Sequence, residues 1–147
     1  MSLRINTIGF TRKSAAAFFG LLTAAKVSRV IDIRLNNRSQ LAGFAKRDDL
    51  AFFLDKVAHM DYVHEPLLAP SEAILCDFKD GKLDWAGYER EFLALMVQRR
   101  VAERLDGSLF VDACLLCSED APDFCHRRLV AEFLRSHWAG VEIVHLR

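Results

Sequence analysis

The residues best suited to chemistry lie in one stretch, Leu115-Leu116-Cys117-Ser118-Glu119-Asp120-Ala121-Pro122-Asp123-Phe124-Cys125-His126-Arg127-Arg128. An apolar run that reads as a buried strand ends in Cys117. A short acidic loop follows, and a helix opening near Pro122, a good first-turn residue, carries Cys125, His126, Arg127 and Arg128. Two thiols, an imidazole, a carboxylate and two guanidiniums thus meet where a strand hands over to a helix N-terminus. Open α/β sheets keep their ligand sites at such places, and the helix dipole there favours anions and thiolates. A cysteine beside His and Arg is favoured as thiolate, the form a nucleophile or redox centre needs, while Glu119 and Asp120 act against it.

Each member also has an ordinary structural reading. Cys125 precedes Leu129 by four residues and shares its helical face, which suits core packing. Arg127 and Arg128 suit ion pairs with Glu119 or Asp32, and His126 suits a helix surface. A structural zinc needs four side chains turned to one point. Cys114 and Cys117 are three apart in a strand and therefore face opposite ways, which argues against a zinc held by that pair. A metal held by Cys117, Cys125, His126 and Glu119 is the alternative that remains, and no metal or other cofactor is otherwise expected. Two further templates do not fit. The cysteine-phosphatase loop needs an arginine six residues after its cysteine, where Cys117 is followed by Asp123. Gly9 is isolated, and no G-x-G-x-x-G follows any strand.

The elements that must position these groups follow from periodicity. Strands are expected over Leu3–Gly9, Val27–Ile33, Tyr62–His64, Ser108–Leu116 and Val141–Leu146, the fourth apolar on both faces as a central parallel strand is. Helices are expected after Thr11 or Ser14, over Asp48–Ala58, from Asp84 through Val101, and from Pro122 to Gly140. Arg34–Arg47 reads as a polar loop, and 67–82 as a long surface excursion without a period. This order implies one α/β domain spanning 1–147, a mostly parallel sheet of about five strands with helices on both faces. In such a sheet all carboxyl strand ends share one edge. That edge would gather Thr7 and Gly9, Asp32 and Arg34, His64, then Cys117 and Glu119, with Cys125, His126 and Arg127 opening the helix beside them.

Over this stretch and those strand ends the chain resembles the DUF488 family, small α/β proteins named for having no assigned function. The resemblance rests on Thr7-Ile8-Gly9, Asp32-Ile33-Arg34, Tyr62-Val63-His64 with Pro66, and above all Leu116-Cys117-x-Glu119 leading through Pro122 to the Cys-His-Arg (CHR) motif Cys125-His126-Arg127. It covers nearly the whole chain and implies a fold and a pocket, with no reaction attached. Where members usually carry His after the first-strand glycine this chain has Phe10, and where they tend to read Leu-Gly-Gly it has Leu67-Leu68-Ala69.

Composition bounds the function classes. The 147 residues carry 20 Lys plus Arg against 20 Asp plus Glu, so whole-chain charge gives no support to nonspecific phosphate binding. No apolar run approaches a membrane span, and the N-terminus lacks a signal-peptide core, so a cytoplasmic protein without a membrane partner is expected. Four cysteines are no disulfide framework, and in a reducing compartment all should be thiols.

Three readings follow. In the first, the domain is an enzyme or ligand-binding domain for a small anionic or nucleotide-like molecule. Arg34 and Arg127 hold the anion and Asp32 orients an arginine, with Thr7, Gly9 and His64 lining the site. Cys117 or Cys125 acts as nucleophile or redox centre and His126 or Glu119 moves protons. In the second, the domain is a non-catalytic module for a protein partner or for nucleic acid. The basic loops would serve the latter through Arg12, Lys13, Arg34, Arg38, Lys46 and Arg47, with Phe44 stacking. In the third, the Cys-His-Arg set is a structural knot pinning the last helix to the central strand.

Overall fold

Ser14 begins the first helix by accepting a hydrogen bond at Oγ from Ala17 N at 3.1 Å, and Asp84 caps the longest one through Gly87 N at 2.8 Å. Such caps fix where the chain stops being extended and starts to coil. The computed structural model describes residues 3–37, 43–119 and 123–147. Its strands are β1 (Leu3–Gly9), β2 (Arg29–Asp32), β3 (Asp61–His64), β4 (Ala113–Cys117) and β5 (Val141–His145). Its helices are α1 (Ala15–Ala24), α2 (Arg47–Lys56), α3 (Glu72–Lys79), α4 (Trp85–Gln98), α5 (Val101–Arg104) and α6 (His126–His137). The strands form one sheet in the order β3-β2-β4-β1-β5, every pairing parallel. This is the expected α/β architecture, with β4 at the centre. Among the described residues no helix is long and apolar enough to cross a membrane.

Side chains alternate across a strand, so each central strand feeds two cores. Ile8, Val30, Cys114 and Leu116 pack with Phe18 and Leu22 of α1 and Leu50 and Leu54 of α2. Ile5, Ile31, Leu115 and Cys117 pack with Phe92 and Met96 of α4 and Leu129, Val130 and Leu134 of α6. Cys114 and Cys117 accordingly lie on opposite faces, and only Cys117 belongs to the face carrying α6.

Several boundaries differ from the sequence reading. The expected fourth strand from Ser108 begins only at Ala113. Asp106 Oδ1 accepts from Ser108 N at 3.0 Å and starts a tight 3-10 turn over Gly107–Phe110. Asp112 then takes φ 51°, a left-handed turn that ends any extended run before Ala113. The expected excursion over 67–82 contains α3, capped by Ser71 Oγ, which accepts from Ile74 N at 3.2 Å. The helix expected through Val101 is two helices, because Arg100 sits at φ 55° between α4 and α5. α6 starts at His126, with Cys125 as its extended N-cap, and Pro122 lies outside the described residues.

Candidate functional site

β2 ends in a carboxylate that is entirely buried, and its charge dictates what gathers round it. Asp32 Oδ1 accepts from Arg34 N at 3.1 Å and Arg34 Nε at 2.8 Å. Its Oδ2 accepts from Arg34 Nη2 at 2.8 Å, Asn37 Nδ2 at 3.3 Å and Tyr62 Oη at 2.5 Å. Burial alone would raise the Asp32 pKa. The hydrogen bonds and charge of Arg34, with the Tyr62 hydroxyl, outweigh that and hold it below its ordinary 3.8. Burial and the same carboxylate push the Tyr62 phenol upward. The two-pronged pairing fixes the Arg34 guanidinium in one orientation. Its carbon stands 5.3 Å from the centre of the Phe10 ring, so Phe10 is a platform for the cation. The remaining donor, Arg34 Nη1, is buried with no hydrogen-bond partner among the described residues.

Two histidines hold the chain as it leaves β2. His64 Nε2 donates to the Arg34 carbonyl at 3.0 Å, and His126 Nε2 donates to the Ile33 carbonyl at 2.7 Å. A carbonyl only accepts, so Nε2 of His126 carries the proton and Nδ1 keeps the lone pair in the neutral ring. Desolvation, partly offset by the Ile33 bond, brings the His126 pKa down to about 4, which keeps that ring neutral.

β4 and α6 bring the cysteines together. Cys117 at the strand end and Cys125 at the helix N-cap are joined in a disulfide. This corrects the expectation that all four cysteines would be thiols; Cys76 and Cys114 are. Pairing depended on where Cys125 would fall at the helix start, which spacing alone does not give. Burial pushes the Cys114 thiol up and leaves it unreactive. Arg127, fully buried, reaches back from α6: its Nη1 donates to the Glu119 carbonyl and lies 3.7 Å from Cys117 Sγ. Gly9 is the hydrogen-bonded neighbour of Cys117 in the sheet, and its missing side chain makes that reach fit. A Cβ there would fall on the Glu119 carbonyl and stand 2.9 Å from Arg127 Nη1.

These groups border a cleft of about 880 Å³ at the carboxyl edge of the sheet. Arg34, Cys117, Glu119, Cys125 and His126 line it, with Arg34 and Lys79 as cations and Glu119 as the one carboxylate among the described lining residues. Asp32, His64, Gly9 and Arg127 stand behind that lining and hold it. Thr7 is not among the residues lining the cleft; its Oγ1 shares a 2.6 Å hydrogen bond with His145 Nδ1 of the neighbouring strand β5. Of the residues considered for a metal, Cys117, Cys125 and His126 offer ligand atoms all within 4.8 Å of one another, and Glu119 is not in that group.

The opposite wall is aromatic, and the expectation of a helix from Asp84 through Val101 does not single out its residues. Trp85 and Tyr88 stack at 4.9 Å, Phe78 meets both rings edge-on, and Phe124, two-thirds exposed, meets Trp85 at 5.6 Å. All four line the cleft. The exposed Phe124 directly before the Cys-His-Arg triplet was the available signal. Arg99 was also missed. Its Nη1 donates to the carbonyls of Pro66, Leu67 and Ala69 at 3.3, 2.9 and 2.6 Å, anchoring the segment that presents Pro70 to the cleft. Of the basic-loop residues, Arg34 pairs with Asp32 through Nε and Nη2, and Phe44 packs on Phe18 and Phe19. Arg47 pairs with Asp48 at 3.1 Å, and Arg38 lies outside the described residues.

Fold and site together define a parallel α/β protein with a cleft built from the carboxyl ends of its central strands. The chain belongs to the DUF488 family, a domain of unknown function, whose family profile matches residues 14–134. Searches of curated proteins and of solved structures returned no match.

Proposed function

We propose that the cleft binds a small anion attached to a flat ring, a nucleotide-like ligand. The observation that carries this reading is Arg34, a residue of the cleft wall whose buried Nη1 has no hydrogen-bond partner among the described residues. A buried polar group left unpaired costs about 1–3 kcal/mol, more when charged, and an anion supplies the missing acceptor. Asp32 and Phe10 hold the guanidinium in place beforehand, which lowers the entropy lost on binding. Lys79 adds a second positive charge, and the Trp85–Phe124 edge offers a surface on which a ring can stack. A catalytic role for Cys117 or Cys125 would first require the bond between them to be reduced. His126, held neutral, and Glu119 would then be the groups within the same cleft able to move a proton.

Isothermal titration with inorganic phosphate and with a set of nucleoside monophosphates tests the reading. Saturable binding of a monophosphate, weaker for phosphate alone, is expected. Phe124→Ala, at an exposed position that leaves the core intact, should cost about 10-fold in affinity for the ring-bearing ligand and little for phosphate. Arg34→Gln should abolish both. Equal binding by Arg34→Gln, or no binding by the parent, would overturn the proposal.

A further inference from the structure

We propose that Cys117, Cys125 and His126 form a redox-gated site for a thiolate-binding divalent metal of the zinc type. It is closed by the disulfide and opened by a dithiol reductant. The proposal concerns a second ligand of the cleft and stands independently of the anion reading.

Three observations carry it. First, the three ligand atoms lie within 4.8 Å of one another. Zinc–sulfur and zinc–nitrogen bonds of about 2.3 and 2.0 Å in a tetrahedron place ligand atoms roughly 3.5–3.8 Å apart, within reach of small side-chain rotations. Second, the Cα atoms of Cys117 and Cys125 stand 7.5 Å apart, wider than the roughly 4.4–6.8 Å usual for bridged cysteines. The strand and helix therefore leave room for two separated sulfurs with an ion between them. Third, His126 already has the arrangement of a metal-binding histidine. Its Nε2–H is donated to a backbone carbonyl, that of Ile33 at 2.7 Å, which fixes the ring and leaves Nδ1 as the donor.

Positive electrostatic groups border both sulfurs. Arg127 Nη1 lies 3.7 Å from Cys117 Sγ, and Cys125 sits at the N-terminus of a 12-residue helix. All three candidate ligands line the cleft, so a fourth coordination position would face its interior. Three protein ligands with one open position is the arrangement of catalytic rather than structural zinc.

The step balances with a dithiol. Its two thiols deliver two electrons and two protons to the Cys117–Cys125 sulfurs and become a disulfide themselves. The two cysteine thiols then release their protons as they bind the cation, and His126 contributes a lone pair. Hydrogen peroxide reverses the change: the two thiolates give up two electrons and join as the disulfide, the O–O bond breaks and takes up two protons to leave two waters, and the metal is released.

Cobalt(II) titration of the full chain, followed by absorption, tests the proposal. The chain is first reduced by a phosphine and kept anaerobic. One equivalent should bind with intense thiolate-to-cobalt charge-transfer bands, zinc should displace it, and the oxidised protein should show no such bands. Hydrogen peroxide should release the metal as the two thiols disappear. Cys125→Ser and His126→Gln should each weaken binding on the order of 100-fold, whereas Cys76→Ser should leave it unchanged. Absence of thiolate bands in the reduced parent, or full affinity in Cys125→Ser, would overturn the proposal. Should a variant fail to fold, alkylation of the reduced parent decides. Zinc should protect Cys117 and Cys125 but not Cys76, and equal labelling with and without zinc overturns the site. Phosphate and nucleotide titrations run with chelator present read the anion proposal separately.

Discussion

At the scale of single residues, Asp32 is the group on which the cleft wall depends. Five hydrogen bonds converge on its two oxygens, three of them from Arg34. Its folded pKa lies below the ordinary 3.8, so the stability it contributes is fully present above that pH and is lost as pH falls through the folded value. Denaturant unfolding followed from pH 7 down to pH 2 should therefore show a loss of stability at the acid end. In Asp32→Asn that acid slope should flatten, and at neutral pH the variant should be less stable by about 3–5 kcal/mol, because Arg34 is left buried without its counter-charge. A variant that kept the parent's acid slope would show that other carboxylates govern it.

At the scale of elements, the site depends on how closely β1, the exit of β4 and the start of α6 approach one another. Gly9 is where that approach is tightest, since Arg127 must pass it to reach the Glu119 carbonyl. Gly9→Ala should lower stability by about 1–3 kcal/mol through overpacking, and the exit of β4 should lose its fixed position. Faster amide exchange at Ser118 and Glu119 would register that change, and parent-like exchange there would contradict it. The order of strands and helices was legible because apolar periodicity and Gly or capping residues mark it, as at Gly9, Ser14 and Asp84. The convergence of Asp32, Arg34, Cys117 and His126 on one edge followed from parallel topology alone. What was hidden was decided by backbone turns and three-dimensional proximity. The left-handed Asp112 shortened β4, the Ser71 cap created α3 in a segment with no clear period, and the aromatic wall arose because α3, α4 and the 123–125 segment meet. The bond between Cys117 and Cys125 belonged to this second group, because it is made across a loop.

At the scale of the whole molecule, that bond ties the central strand to the last helix across a sequence separation of 8. By loop-closure entropy it limits the unfolded chain by about 2–3 kcal/mol. Reduction in the presence of a chelator should lower Tm by roughly 5–10 °C, and Cys117→Ala with Cys125→Ala should reproduce the lower value without reductant. An unchanged Tm would mean that the two cores alone set the stability. The grip on β2 reaches equally far. His64 belongs to the edge strand and His126 to the last helix, yet they hold the adjacent carbonyls of Arg34 and Ile33. The lateral placement of the Arg34 cation is thus a compromise between two elements that do not otherwise share a strand pairing. A disturbance at either margin of the protein, the outer strand or the closing helix, displaces the same peptide units and is felt at the cleft wall.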